Sequence, residues 1–178
     1  MSRWPTVLGA ILTGALALTA CAGRAAPTGA ADPAARGNAS APASEKADLT
    51  FTVTTLDGAT FDGRSLAGKP ALLWFWAPWC PTCAAEAPHM RQVADTYAGK
   101  ITVVGVAGLD NVANMHRFVD LTKVANIVHL ADEQGVVWRR LGVTAQSTYV
   151  LLDVSGAIVY RGYLDNAELD RLLARLAG

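Results

Sequence analysis

The stretch LLWFWAPWCPTC, residues 72–83, decides how this chain is read. Its first half belongs to a continuous apolar and aromatic run, Ala71 to Ala77, the pattern of a central strand buried on both faces. Its second half ends in Cys80 and Cys83, with two residues between them. Pro81 fits the first position of a helix, where its missing N–H costs nothing. A helix is therefore predicted from Pro81 to about Ala98, kinked at Pro88. This places Cys80 where a buried strand gives way to a helix N-terminus. Unpaired N–H groups and the helix dipole concentrate positive potential there, which stabilises a thiolate and lowers the cysteine pKa. Cys83 lies one turn further in, near enough to close a disulfide and less exposed. One sulfur that attacks or is attacked, and a second that resolves, is what thiol–disulfide exchange requires.

Outward from this stretch, strands alternate with helices. LTFTVTTLDGATFDG, residues 49–63, alternates apolar and polar residues around Asp57-Gly58 and reads as a β-hairpin. Ile101 to Ala107 reads as a second buried strand, residues 111–123 as an amphipathic helix, Val128 to Leu130 as a short strand and Glu133 to Leu141 as a helix. Thr148–Asp153 and Ala157–Tyr160 form a predicted antiparallel pair. In the last helix Asp165 is the cap, Glu168 sits three positions on, Leu164 can staple onto Leu169, and Leu169, Leu172, Leu173 and Leu176 repeat along one face. Such an order argues for an α/β sheet with helices on both faces.

The first 46 residues read differently. Residues 5–20 are an apolar run of signal-peptide length flanked by Arg3, too short and too rich in Gly and Ala for a comfortable membrane span. They lead into Leu18-Thr19-Ala20-Cys21, which looks like the lipobox at which bacterial lipoprotein precursors are cleaved and lipidated; the alternative is an ordinary secretory signal ending near Ala22. Either reading puts the mature protein outside the cytoplasm, where disulfides persist. With Cys21 as the lipidation site of a signal peptide over 1–21, the folded domain keeps only Cys80 and Cys83. Residues 22–46 hold Ala, Pro, Gly, Ser and Thr with no large apolar side chain and read as a disordered tether of ~25–30 Å end to end. The domain is predicted over 47–178. A formal net charge of zero, without a basic block, gives no sign of a nucleic-acid partner, and none is expected.

FWAPWCPTC followed by a helix carrying Glu86 and Pro88 resembles the thioredoxin-like fold. The N-terminal hairpin, extra elements at about 110–141 and the Cys-x-x-Glu-x-Pro of CAAEAP, residues 83–88, are similar to the TlpA/ResA/DsbE-type extracytoplasmic thiol–disulfide oxidoreductases. WAPWCPTC itself is shared with DsbF-type lipoproteins of mycobacteria. The resemblance covers 48–178. It implies a central mixed β-sheet flanked by helices, with the hairpin and an inserted helical segment. It further implies a nucleophilic Cys80, a resolving Cys83, Pro81 and Thr82 tuning the redox potential, and Trp76 and Trp79 as active-site tryptophans. No cofactor is implied beyond the redox-active Cys80–Cys83 disulfide. Glu86 matches an acid beside the cysteines, able to relay protons or to oppose thiolate formation at Cys83. Thioredoxin's buried aspartate falls at Trp74 here, which makes Glu86 its substitute. Implied partners are exported cysteine-containing proteins and a membrane redox protein that restores Cys80–Cys83. Both directions of exchange stay open: oxidation of exported thiols, toward which the mycobacterial resemblance leans, and reduction in cytochrome c maturation.

One position departs from the family. Its cis-proline falls at Ser147 in AQSTYVLLD. A cis bond between Gln146 and Ser147 costs ~2.5–4 kcal/mol, against ~0.5–1 before proline. The expectation is a trans bond with an altered substrate groove, or a strained cis bond, with the serine hydroxyl free to reach a sulfur. Two rival classes fit the cysteine pair less well. A metal carrier, the alternative of a different class, needs His89, His116 or His129 to complete a site begun by Cys80 and Cys83; His89 does not share Cys83's helix face, and His116 and His129 read as structural. A purely structural disulfide enclosing so few residues restricts the unfolded chain little.

Overall fold

A computed structural model describes residues 45–178. The signal peptide, Cys21 and the tether up to residue 44 lie outside the described residues. Glu45 and Lys46, predicted as the end of the tether, belong to the folded domain. Lys46 bridges Ala157, the Ile158 amide donates to the Glu45 carbonyl, and Arg161 pairs with the Glu45 carboxylate at 2.8 Å.

Strands β1 (Thr52–Thr54) and β2 (Thr60–Asp62) form the expected hairpin. The main sheet holds β3 (Ala71–Trp76), β4 (Thr102–Ala107), β5 (Val128–Ala131), β6 (Thr148–Leu152) and β7 (Ile158–Gly162) in the order β5-β4-β3-β6-β7. β3 pairs parallel with β4 and antiparallel with β6, so the sheet is mixed. Every residue of β3 is buried, as its apolar run predicts. Helices α1 (Pro81–Thr96), α2 (Val112–Thr122), α3 (Val136–Arg140) and α4 (Asn166–Ala177) complete the fold. α1 runs without a break through Pro88. α4 is capped as read, with the Asp165 carboxylate accepting from the Glu168 amide at 2.8 Å.

The period-two alternation of β3 divides the core. Leu72, Trp74 and Trp76 face a layer that includes Cys83, Ala87 and Met90 of α1, Phe118 of α2, and Leu169 and Leu173 of α4. Leu73 and Phe75 face the other way, toward Phe51, Leu66, Trp138 of α3 and Leu141. The segment expected as a helical insertion also supplies β5, which extends the sheet beside β4. Its last helix is shorter than the sequence predicts. α3 begins at Val136 because the buried Asp132 carboxylate accepts from the amides of Val136, Val137 and Trp138, at 2.6, 2.8 and 3.0 Å.

His129 of β5 is buried behind the site. Its Nδ1 lies 3.2 Å from the Trp76 indole nitrogen and its Nε2 3.0 Å from the Val124 carbonyl. Gly105 on the adjoining strand leaves room for both rings, since a Cβ there would collide with the imidazole. Burial pushes the His129 pKa down to about 4 from 6.5. The unfolded chain therefore takes up a proton that the native state refuses. His129 accordingly removes stability as the pH falls from 6.5 toward 4, by a few kcal/mol at most. In urea titrations at pH 7 and pH 4.5 we expect His129→Leu to lose part of the acid sensitivity of the wild type; an unchanged difference between the two pH values would refute this account.

Candidate active site

Cys80 occupies the N-cap of α1, with extended backbone, and Pro81 takes the first helical position. The strand β3 ends at Trp76, and the Cys80 amide turns back to the Ala77 carbonyl at 3.1 Å. This tight connection places the sulfur at the amino end of the helix. Cys80 Sγ accepts the Cys83 amide at 3.1 Å and is disulfide-bonded to Cys83, with the two Cα atoms 5.3 Å apart. The predicted asymmetry is present: Cys80 is 5% exposed and Cys83 fully buried. No acidic side chain stands in the first turn of α1 to offset the helix dipole, and Thr82 is exposed on it. Trp79 stands out beside Cys80, more than half exposed, its indole N–H donating to the Leu109 carbonyl at 3.2 Å. Trp76 is instead fully buried, stacked on Phe118 with ring centroids 4.2 Å apart.

Glu86 is buried, which rules out a solvated helix residue. It lies three positions after Cys83 on the buried side of α1. Its Oε2 accepts from the Trp74 indole N–H at 3.0 Å and from the Ser147 hydroxyl at 2.5 Å. The Trp74 N–H also approaches Ser147 Oγ at 3.2 Å, closing a triangle of three side chains. The other carboxylate oxygen, Oε1, is buried without a hydrogen-bond partner, as is the Tyr149 hydroxyl. Burial raises the Glu86 pKa above the ordinary carboxylate value, and the Ser147 and Trp74 donors, with the nearby Tyr149 hydroxyl, pull it back. Burial raises the Tyr149 phenol in turn, and the neighbouring Glu86 charge adds to it.

The Gln146–Ser147 bond is cis. The Ser147 hydroxyl goes to Glu86 rather than to a sulfur, correcting the sequence expectation. The apolar run at 71–77 marks Trp74 only as part of a buried strand, and no local pattern singles out Tyr149. The signal was in the strand register: Trp74 shares a face with Leu72 and Trp76, and Tyr149 is its direct partner on β6. The three histidines are placed apart from the cysteines. His89 meets Asp170 at 3.0 Å, His129 is held behind Trp76, and His116 is exposed on α2. Among the described residues no three His, Cys, Asp or Glu side chains converge on a metal position.

The redoxin family pattern matches residues 33–175. This chain belongs to the redoxin family. It is 45% identical over 126 residues to the soluble secreted antigen MPT53 of Mycobacterium tuberculosis, covering 70% of this chain and 72% of that one. It is 36% identical over 105 residues to the thiol:disulfide interchange protein DsbE of Yersinia pestis, covering 58% and 54%. Among solved structures, MTB dsbF superposes with a TM-score of 0.69 at 49% identity, over 72% of this chain and 96% of that one. A secreted Mycobacterium tuberculosis disulfide oxidoreductase superposes at 0.66 with 41% identity, over 72% and 97%. The fold is thioredoxin-like, and the protein is a thiol–disulfide oxidoreductase of the DsbE/DsbF type with Cys80–Cys83 as its redox pair.

From the unequal burial of the two sulfurs we expect Cys80 to react first. We expect Cys83→Ser to accumulate a mixed disulfide between Cys80 and a substrate thiol, visible on a non-reducing gel. Cys80→Ser should form none, because the remaining sulfur is enclosed. A Cys80→Ser protein that traps substrate as well as Cys83→Ser would reverse the assignment.

Proposed function

We propose that this redoxin is an extracytoplasmic oxidase of exported proteins, anchored to the membrane by lipid on Cys21. The observation that carries the direction is the Cys80 sulfur at the cap of α1, accepting the Cys83 amide with no acid in the first turn. That environment favours the Cys80 thiolate, hence the reduced form, and makes the disulfide a ready donor. Similarity to a secreted antigen and a secreted disulfide oxidoreductase supports the location, and the lipobox-like Leu18–Cys21 supports the anchor.

In this reading a substrate thiolate attacks Cys80 Sγ. The Cys80–Cys83 bond breaks, and Cys83 leaves as a thiolate that takes a proton from Glu86. A second substrate thiolate then attacks the substrate sulfur of the mixed disulfide, and Cys80 leaves as the stabilised thiolate. Two substrate thiols have become a disulfide, and Cys80 and Cys83 hold the two electrons. A membrane redox partner removes them to restore the pair.

The reduction potential separates the directions. Titrated against glutathione and followed by the fluorescence of Trp79 beside the disulfide, we expect a value near DsbA's ~−120 mV. A value at or below thioredoxin's ~−270 mV would reverse the direction and favour the reductase reading. For the anchor, we expect cells fed a labelled fatty acid to label the wild type and leave Cys21→Ala unlabelled; equal labelling would remove the lipid from the proposal.

A further inference from the structure

Ser147 stands where proteins of the resembled family carry proline, a residue with no hydroxyl to donate. Here the hydroxyl is present, buried and spent on Glu86 Oε2 at 2.5 Å, beside the Trp74 N–H at 3.0 Å. Both donors converge on one carboxylate oxygen and leave Oε1 bare. A carboxyl buried against Trp74 and Tyr149 pays a desolvation cost when it ionises, and donors aimed at the charged form offset that cost.

We propose that Ser147 is a positioning residue: with Trp74 it grips Oε2, sets how readily Glu86 gives up its proton, and leaves Oε1 as the oxygen that exchanges a proton with Cys83. The inference rests on the proton role given to Glu86 above. Ser147 lies in the loop just before β6. Its hydroxyl therefore links that loop to the buried acid of α1.

The groups around the carboxyl are few. Trp74 comes from β3, Tyr149 from β6 and Ser147 from the preceding loop. Cys83 precedes Glu86 on α1. From the segment leading into α4, Tyr163 and Asp165 line the cleft that Glu86 also borders, with Thr82 at its rim. No cation is placed among them, so hydrogen bonds rather than an ion pair must hold the charge. Removing the Ser147 donor should raise the proton affinity about tenfold, a shift of about one pH unit.

The test follows the Glu86 carboxyl carbon by ¹³C NMR across pH, its signal assigned by its loss in Glu86→Gln. In Ser147→Ala we expect the midpoint to rise by about one unit, and in Ser147→Thr, which keeps a hydroxyl, to return to within a few tenths of wild type. If the alanine protein fails to fold, Ser147→Pro removes the same hydroxyl with the family's own residue, and the same rise is expected. A midpoint that stays put when the hydroxyl is removed overturns the proposal. The pH profile of thiol oxidation, taken at constant substrate thiolate, gives the second readout. Its limb should move with the Ser147→Ala midpoint, and Ser147→Ala should change nothing further in a Glu86→Gln background. If Glu86→Gln leaves the profile where it was, the proton role of Glu86 falls, whereas the grip on Oε2 is decided by the titration alone.

Discussion

A strand buried on both faces must be paired on both edges, and β3 is the element on which this constraint falls. Its six residues are fully enclosed, so every backbone N–H and C=O along it needs a protein partner. β4 supplies one edge in parallel and β6 the other in antiparallel. The consequence for chemistry is positional. The chain leaves the strand at its carboxyl end and enters α1 within a few residues, which puts Cys80 at a helix N-terminus at the edge of the buried core. The segment carrying Ser147 ends where β6 begins, beside the same end of β3. The cysteines, the acid and the loop carrying Ser147 meet because one strand cannot be left unpaired.

The site holds two opposed electrostatic arrangements within one helix. At Cys80 the first turn of α1 presents an amide to sulfur with no carboxylate to offset it. One turn beyond Cys83 the chain buries a carboxyl that desolvation drives toward its neutral form. The first favours negative charge on the outer sulfur, and the second favours a proton close to the inner one. That division suits a reaction in which Cys80 departs as a thiolate and Cys83 as a thiol. Glu86 on α1 and His129 on β5 together show how burial acts by sign. It raises the proton affinity of Glu86 and lowers that of His129, so the two groups push stability in opposite directions on acidification.

Much of this was legible before any coordinates. The continuous run at 71–77, the proline after Cys80 and the leucine repeat of α4 are local signals, and each marks an element the structure contains. The exchange chemistry was legible too, because its two sulfurs sit within one helical turn of each other. Less legible were the features that depend on distant partners. Asp132 looks like an ordinary loop acid, yet it sets where α3 begins. Glu45 and Lys46 look like tether until Ala157 and Arg161 are seen beside them. Ser147 reads as a missing proline, and only the fold makes it a donor.

The amino-acid sequence by itself determined the strand, the helix and the place of Cys80 at their junction, since periodicity, a proline and a pair of cysteines act over a few neighbouring residues. Tertiary structure alone decided what surrounds Glu86. Trp74 lies 12 positions before it and Ser147 61 positions after, and both touch its carboxylate only because β3 and β6 pair beneath α1. Whether a carboxyl is charged depends on the water it loses and the donors it gains. Both are properties of the packed core, and neither is written in the residues adjacent to it.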